Sequence, residues 1–215
     1  SRSRRFRPEP FYECDDKRVE ISMITRGGGL SIAAGSNYVY TLSPLNYQGT
    51  RALVEGASHG TWRVGGSHYR LLKENLGLSL SAQYNSTRGE FTNQHNGRRC
   101  DWDRLFSGRM KLEWRNHDGW YIANVASASV SRQGGYPYEW VETGKIAYND
   151  TCFYRRTSVT DGLTIRKALE GFSLSSITSY QYIDDNMTLD QDFTPLPYFT
   201  LTQARQEHAV TEDLV

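Results

Sequence analysis

Residues 172–197 read FSLSSITSYQYIDDNMTLDQDFTPLP. In its first half the stretch alternates. Phe172, Leu174, Thr178, Tyr180 and Tyr182 fall on one face of an extended chain, and Ser173, Ser175, Ser179 and Gln181 on the other. Successive side chains of a strand point to opposite faces, so this is the pattern of a wall between two different media. The second half is acidic, with Asp184, Asp185, Asp190 and Asp192 closed by Phe193, Pro195 and Pro197. We expect a strand ending at Ile183 and a long carboxylate-rich loop from Asp184 to Pro197, a unit that suits a barrel wall carrying a binding loop at its rim.

The same rhythm extends outward in both directions. Gly49 to Ala57 reads as a strand, Ser58-His59-Gly60 as a turn, and Thr61 to Lys73 as a strand. After the tight turn at Glu74-Asn75, Leu78, Leu80, Ala82 and Tyr84 alternate with Ser79, Ser81, Gln83 and Asn85. A polar loop follows to Asp101, and then Met110, Leu112 and Trp114 oppose Arg109, Lys111 and Glu113. Asn116-His117-Asp118-Gly119 turns the chain into a strand from Trp120 to Arg132, which enters the long loop GGYPYEWVETGKIAYNDT. Phe153 to Lys167 and Arg205 to Val215 complete a count of about eight long strands, beside a short one near Tyr38–Thr41. From Glu74 onward the connections alternate short and long, as they do between the inner and outer ends of outer-membrane barrels. One position resists the pattern: Asp161 shares a face with Val159, Leu163 and Ile165.

Composition narrows the class. The chain has 215 residues, 38% of them apolar, and a mean hydropathy of −0.64. No run approaches the roughly 18 apolar residues of a spanning helix, which leaves spanning strands untouched. A net charge of +1 gives no case for nucleic acid. Fourteen tyrosines and five tryptophans supply enough aromatics for interfacial girdles. Cys14, Cys100 and Cys152 lack CxxC spacing, so a structural zinc site is not expected; Cys100 and Cys152 either pair between neighbouring loops or remain thiols. SRSRRFRPEP is basic with no apolar stretch behind it, which is not a signal-peptide pattern. The glycines after Arg26 lack the lysine and hydroxyl of a phosphate loop. The five histidines are scattered without HExxH and no GxSxG is present, so neither catalysis, a cofactor nor a resident metal is expected.

Ile177-Thr178-Ser179-Tyr180-Gln181 together with Asp190-Gln191-Asp192-Phe193-Thr194-Pro195-Leu196-Pro197 resembles the seventh strand and following loop of TonB-dependent outer-membrane receptors. QEHAVTEDLV, residues 206–215, is similar to the next strand, and Ile21, Ile24, Arg26, Gly27 and Gly29 match a plug segment. Gly35-Ser36-Asn37-Tyr38 stands where the family usually has paired glycines.

The resemblance implies an all-β chain. Residues 1–46 would be a remnant of the plug and residues 47–215 the first part of a roughly 22-stranded barrel, an open antiparallel meander of about eight long strands. It further implies the outer membrane of a Gram-negative bacterium, contact with outer-membrane lipid, the TonB complex as partner, and uptake of a small-molecule nutrient such as a ferric siderophore, cobalamin or a glycan. Binding would then fall to the outer loops. Tyr136, Tyr138, Trp140 and Tyr148 can stack on a ligand or simply pack the loops; Arg98, Arg99, Arg155 and Arg156 can hold an anion; Asp190 and Asp192 can face the ligand or remain solvated. Two other architectures fit the alternation: a complete eight-stranded outer-membrane barrel, and a secreted β-sandwich that binds carbohydrate.

Overall fold

In a computed structural model of the chain we describe residues 24–25, 32–33, 42–135, 137–139 and 141–215. The strands are β1 (Ile24–Thr25), β2 (Ile32–Ala33), β3 (Gly49–Ala57), β4 (Thr61–Lys73), β5 (Leu76–Thr87), β6 (Thr92–Asn93), β7 (Arg98–Arg99), β8 (Asp103–Arg115), β9 (Trp120–Gln133), β10 (Phe153–Leu169), β11 (Phe172–Asp190) and β12 (Thr200–Leu214). β1 pairs with β2 and β6 with β7, each as a two-residue hairpin rung. The other eight strands form one antiparallel sheet in the order β3-β4-β5-β8-β9-β10-β11-β12, so each long strand lies beside its predecessor. Turn chemistry explains the short connections: His59 (φ 60) and Gly60 (φ 66) both take the left-handed conformation that matches hairpin twist.

Among the described residues β3 pairs with β4 alone and β12 with β11 alone, so the sheet is open. Closure of a small barrel would join these two edges, and a sandwich would stack the strands in two sheets. The eight strands expected arise from residues 49–214 without the one anticipated near Tyr38–Thr41, which lies outside the described residues, as does most of the apolar stretch Val19 to Ile24.

The acidic loop is shorter than the sequence suggests. β11 continues to Asp190, because β10 supplies ladder partners up to Phe153↔Thr188 and β12 joins at Thr200↔Asp190 rather than at Arg205. With neighbours on both sides, carboxylates are tolerated in the strand. Asp185 accepts from Arg156 Nε and Nη2 (2.6 and 2.9 Å), Arg205 Nη2 (2.7 Å) and Tyr154 Oη (3.1 Å). Only residues 191–199 remain as loop.

Register sorts the side chains into two faces. One carries Val64, Leu80, Tyr84, Phe106, Met110, Leu112, Val130 and Val159, and these apolar side chains are exposed or half-buried. The other carries Ser79, Ser81, Gln83, Arg109, Lys111, Glu113, Ser127, Ser129, Ser158 and Thr160, with Leu53, Leu105 and Val125 interrupting it. The apolar character weakens toward β12, where His208 and Glu212 share the face with Val210. Asp161 does lie on the apolar face, and Asn124 Nδ2 of the same face donates to both its oxygens at 3.0 and 3.1 Å.

Residues 42–48 lie across the polar face just before β3. Pro44 rests on Gly77 so closely that a Cβ there would stand 2.7 Å from the Pro44 carbonyl carbon. Tyr47 meets Tyr69 edge-on at 5.2 Å. Ser43 Oγ donates to Glu113, whose carboxylate is fully buried and also accepts from Lys111 Nζ and from Tyr121 Oη at 3.0 Å. Among the described residues there is little apolar interior, and the largest fully buried side chains are Glu113, Asn93, Asp190 and Pro44.

Candidate functional site

The long connections, residues 88–102, 134–152 and 191–199, all leave the sheet at one end and pack against one another. Their contact is a small apolar cluster of Cys100, Ile146, Tyr148 and Cys152, with Leu189 of β11 against it. Backbone links reinforce it. Gln94 N donates to Ile146 O (2.7 Å), Asn93 Nδ2 to Tyr148 O (2.8 Å) and Gly134 N to Trp102 O (2.9 Å). The approach at Gly134 leaves no room for a side chain, since a Cβ would lie 2.4 Å from Trp102 Nε1 and 2.5 Å from Cys100 O.

Asp190 ties the second and third loops together. Its carboxylate is fully buried and accepts from Asn149 N (3.2 Å), Asp150 N (3.3 Å) and Phe193 N (2.9 Å). Asp101 does the same for the first loop, accepting from Glu90 N and Phe91 N at 2.8–2.9 Å.

Of the residues anticipated for ligand binding, Arg98 and Arg99 are exposed on β7, and Arg99 Nη1 donates to Glu90 O. Tyr138 is 50% exposed and its ring lies 5.0 Å from that of Phe193. Asp192 lies in the same loop and is occupied locally, accepting from Thr194 N (2.9 Å), Thr194 Oγ1 and Phe199 N (3.4 Å). The oxygens of Asp190 are turned inward as described. Tyr136 and Trp140 lie outside the described residues. Tyr148, read as a stacking candidate, is buried in the cluster, and Arg155 and Arg156 are neighbours on opposite faces of β10. Among the described residues no group of His, Cys, Asp and Glu converges as a metal site: Asp184 and Asp185 point to opposite faces, and Asp190 is enclosed.

Burial sets the electrostatics of the cluster. It pushes the Cys100 and Cys152 thiols up and the Tyr148 phenol up, so all three stay neutral. Both cysteines carry free thiols. The Thr194 hydroxyl lowers the Asp192 carboxyl and keeps it charged at the surface. What faces outward at this end is aromatic and of mixed charge: Arg98, Arg99 and Tyr138 with Glu139 and Glu142, and Tyr198 and Phe199 at 67% and 57% exposure. Reading the sequence alone missed Asn93, which is 1% exposed and orients the Tyr148 carbonyl. No local signal marks it, because its partner is 55 residues away.

No known protein family, curated protein or solved structure matches the chain.

Proposed function

We propose that the chain is part of an outer-membrane receptor that takes up a scarce nutrient with energy passed through TonB. The observation that carries the membrane part is the exposed apolar face. Val54, Val64, Leu80, Phe106, Met110, Leu112, Val130 and Val159 are each 36–80% exposed on one side of the sheet. Monomeric soluble proteins rarely leave contiguous apolar patches beyond a few hundred Å² in water, whereas a strand wall in lipid requires one. An irregular segment held on the polar face by Ser43, Pro44 and Tyr47 is where a plug leading into such a wall would run. The TonB coupling and the nutrient class rest on the sequence resemblance of residues 177–181, 190–197 and 206–215.

In this reading the loop end binds the nutrient. Arg98 and Arg99 supply guanidinium forks for carboxylate or phosphate groups, Tyr138 a stacking surface and Asp192 an acceptor, while Asp190 holds the loops in place. Outer-membrane vesicles carrying the protein should bind one of a ferric siderophore, cobalamin or an oligosaccharide saturably. R98A/R99A should weaken that binding at least about tenfold, the loss expected from one charged hydrogen bond. Absence of saturable binding to all three classes contradicts the reading.

A further inference from the structure

Two cysteines from different loops meet in one cluster. Cys100 lies near the end of the first long loop and Cys152 ends the second, and both are buried, at 3% and 6% exposure. With Ile146 and Tyr148 they make up the apolar contact between the loops. Gly134-Gly135 touches both: a Cβ at Gly134 would stand 2.5 Å from Cys100 O, and one at Gly135 2.6 Å from Cys152 Cβ. Side chains at these two positions would push the cysteines away from the dipeptide they share. The Tyr148 phenol hydrogen-bonds the Cys100 thiol and lies within electrostatic reach of Cys152.

The hydrogen bonds each thiol donates are weak. Cys100 Sγ donates to Phe91 O at 3.5 Å and Cys152 Sγ to Asp150 O at 3.8 Å, so either side chain can turn at little cost. Asp190 N donates to Cys152 Sγ at 3.2 Å, a bond that steadies a thiolate and makes Cys152 the better nucleophile of the two. Among the described residues no third His, Cys, Asp or Glu joins them to form a metal site. The chemistry left to two neighbouring thiols is oxidation to one another. The links such a bond would reinforce are non-covalent: Gln94 N to Ile146 O, Asn93 Nδ2 to Tyr148 O and Gly134 N to Trp102 O. Arg98 and Arg99 immediately precede Cys100, so a bond at Cys100 also restrains the cationic part of the loop end.

We propose that Cys100 and Cys152 are a thiol–disulfide pair whose oxidation by a small-molecule disulfide staples the first long loop to the second. Both sulfurs are enclosed, so the first attack occurs when the loops part. The Cys152 thiolate, its proton lost to solvent, attacks one sulfur of the oxidant, whose other half leaves as a thiolate and takes up a proton. As the loops close, the Cys100 thiolate attacks the Cys152 sulfur of the mixed disulfide and the second half leaves in the same way. The two cysteines give up two electrons and two protons, and the oxidant becomes two thiols. The product closes the chain from Cys100 to Cys152 around β8 and β9, which restricts how far the loops can separate. The pair needs only an oxidising disulfide at the loop end, so the inference stands apart from the membrane reading.

The test treats the reduced intact chain with oxidised glutathione, under native conditions and in mild urea that parts the loops, and maps the products by peptide mass spectrometry. The peptides of Cys100 and Cys152 should appear linked, with both thiols lost together and both recovered with dithiothreitol. Amide exchange at Gln94 and Gly134, whose hydrogen bonds cross between the loops, should slow at least about tenfold in the oxidised form. C100S should stop at a glutathione adduct on Cys152 and show no such slowing. Thiols that stay free even in mild urea overturn the inference. So do separate glutathione adducts on the two cysteines, or a link from either one to Cys14. A Cys100–Cys152 link that leaves exchange at Gln94 and Gly134 unchanged overturns the staple. The wild-type chain alone decides between these outcomes, so the test holds if C100S folds poorly. None of them bears on whether the apolar face lies in lipid.

Discussion

Asp190 shows how a residue type chosen for ligand chemistry can be consumed by architecture. Its carboxylate accepts three backbone N–H groups from two loops. Replacing it with alanine leaves three half-buried donors without this partner, at up to about 1 kcal/mol each. D190A should accelerate hydrogen exchange at Asn149, Asp150 and Phe193 without changing the middle of β8, which exchange-resolved mass spectrometry reads directly. The thiols give a pH prediction. Burial pushes Cys100 and Cys152 up in the folded chain, while unfolded thiols titrate near ~8.5. The loop cluster is therefore at full stability below about pH 8.5 and loses stability as pH rises above it, because only the unfolded thiols ionise there. Maleimide labelling should be slow at pH 7 and should climb above pH ~8.5 more steeply than for an exposed thiol. At Gly134 overpacking decides: G134A drives a Cβ into Trp102 and Cys100 O and should cost about 1–3 kcal/mol, read as a lowered loop-unfolding midpoint.

At the scale of elements, alternation made the strands legible and pairing decided where they end. Ser79, Ser81 and Gln83 against Leu80, Ala82 and Tyr84 fix the facing of β5 from sequence alone, because the period of two needs no knowledge of neighbours. The end of β11 was not legible. Asp184 and Asp185 read as loop until β10 and β12 place Arg156 and Arg205 beside Asp185. The loop cluster was legible only in part: Cys100 and Cys152 read as neighbours, but Ile146 and Tyr148 join them only after two long connections fold back. The Glu113 node belongs to this scale as well. Its buried carboxylate and the nearly buried Lys111 compensate one another, so removing either leaves the other charged and enclosed, at about 3–5 kcal/mol. E113A should destabilise strongly in urea titrations, and E113A/K111M should recover much of the loss. Asp161 offers a test of medium. A lipid-facing carboxylate is costly, by up to a few kcal/mol near mid-bilayer, and Asn124 only partly offsets that. D161L should raise the unfolding midpoint in bilayers; a marked fall would place this face in water.

For the whole molecule the decisive property is asymmetry. Eight strands in chain order form one open sheet with a mostly polar face that receives residues 42–48 and an apolar face with no protein layer over it among the described residues. The long loops gather at one end, with arginines and aromatics at the rim below them. The proposed wall between lipid and an aqueous interior would account for all of these features together. The most direct test is nitroxide accessibility along β5 in outer-membrane vesicles, with labels at Ser79, Leu80, Ser81 and Ala82. Oxygen collisions should peak at Leu80 and Ala82, and collisions with an aqueous nickel chelate at Ser79 and Ser81. Equal exposure of all four positions to the chelate would contradict the membrane wall.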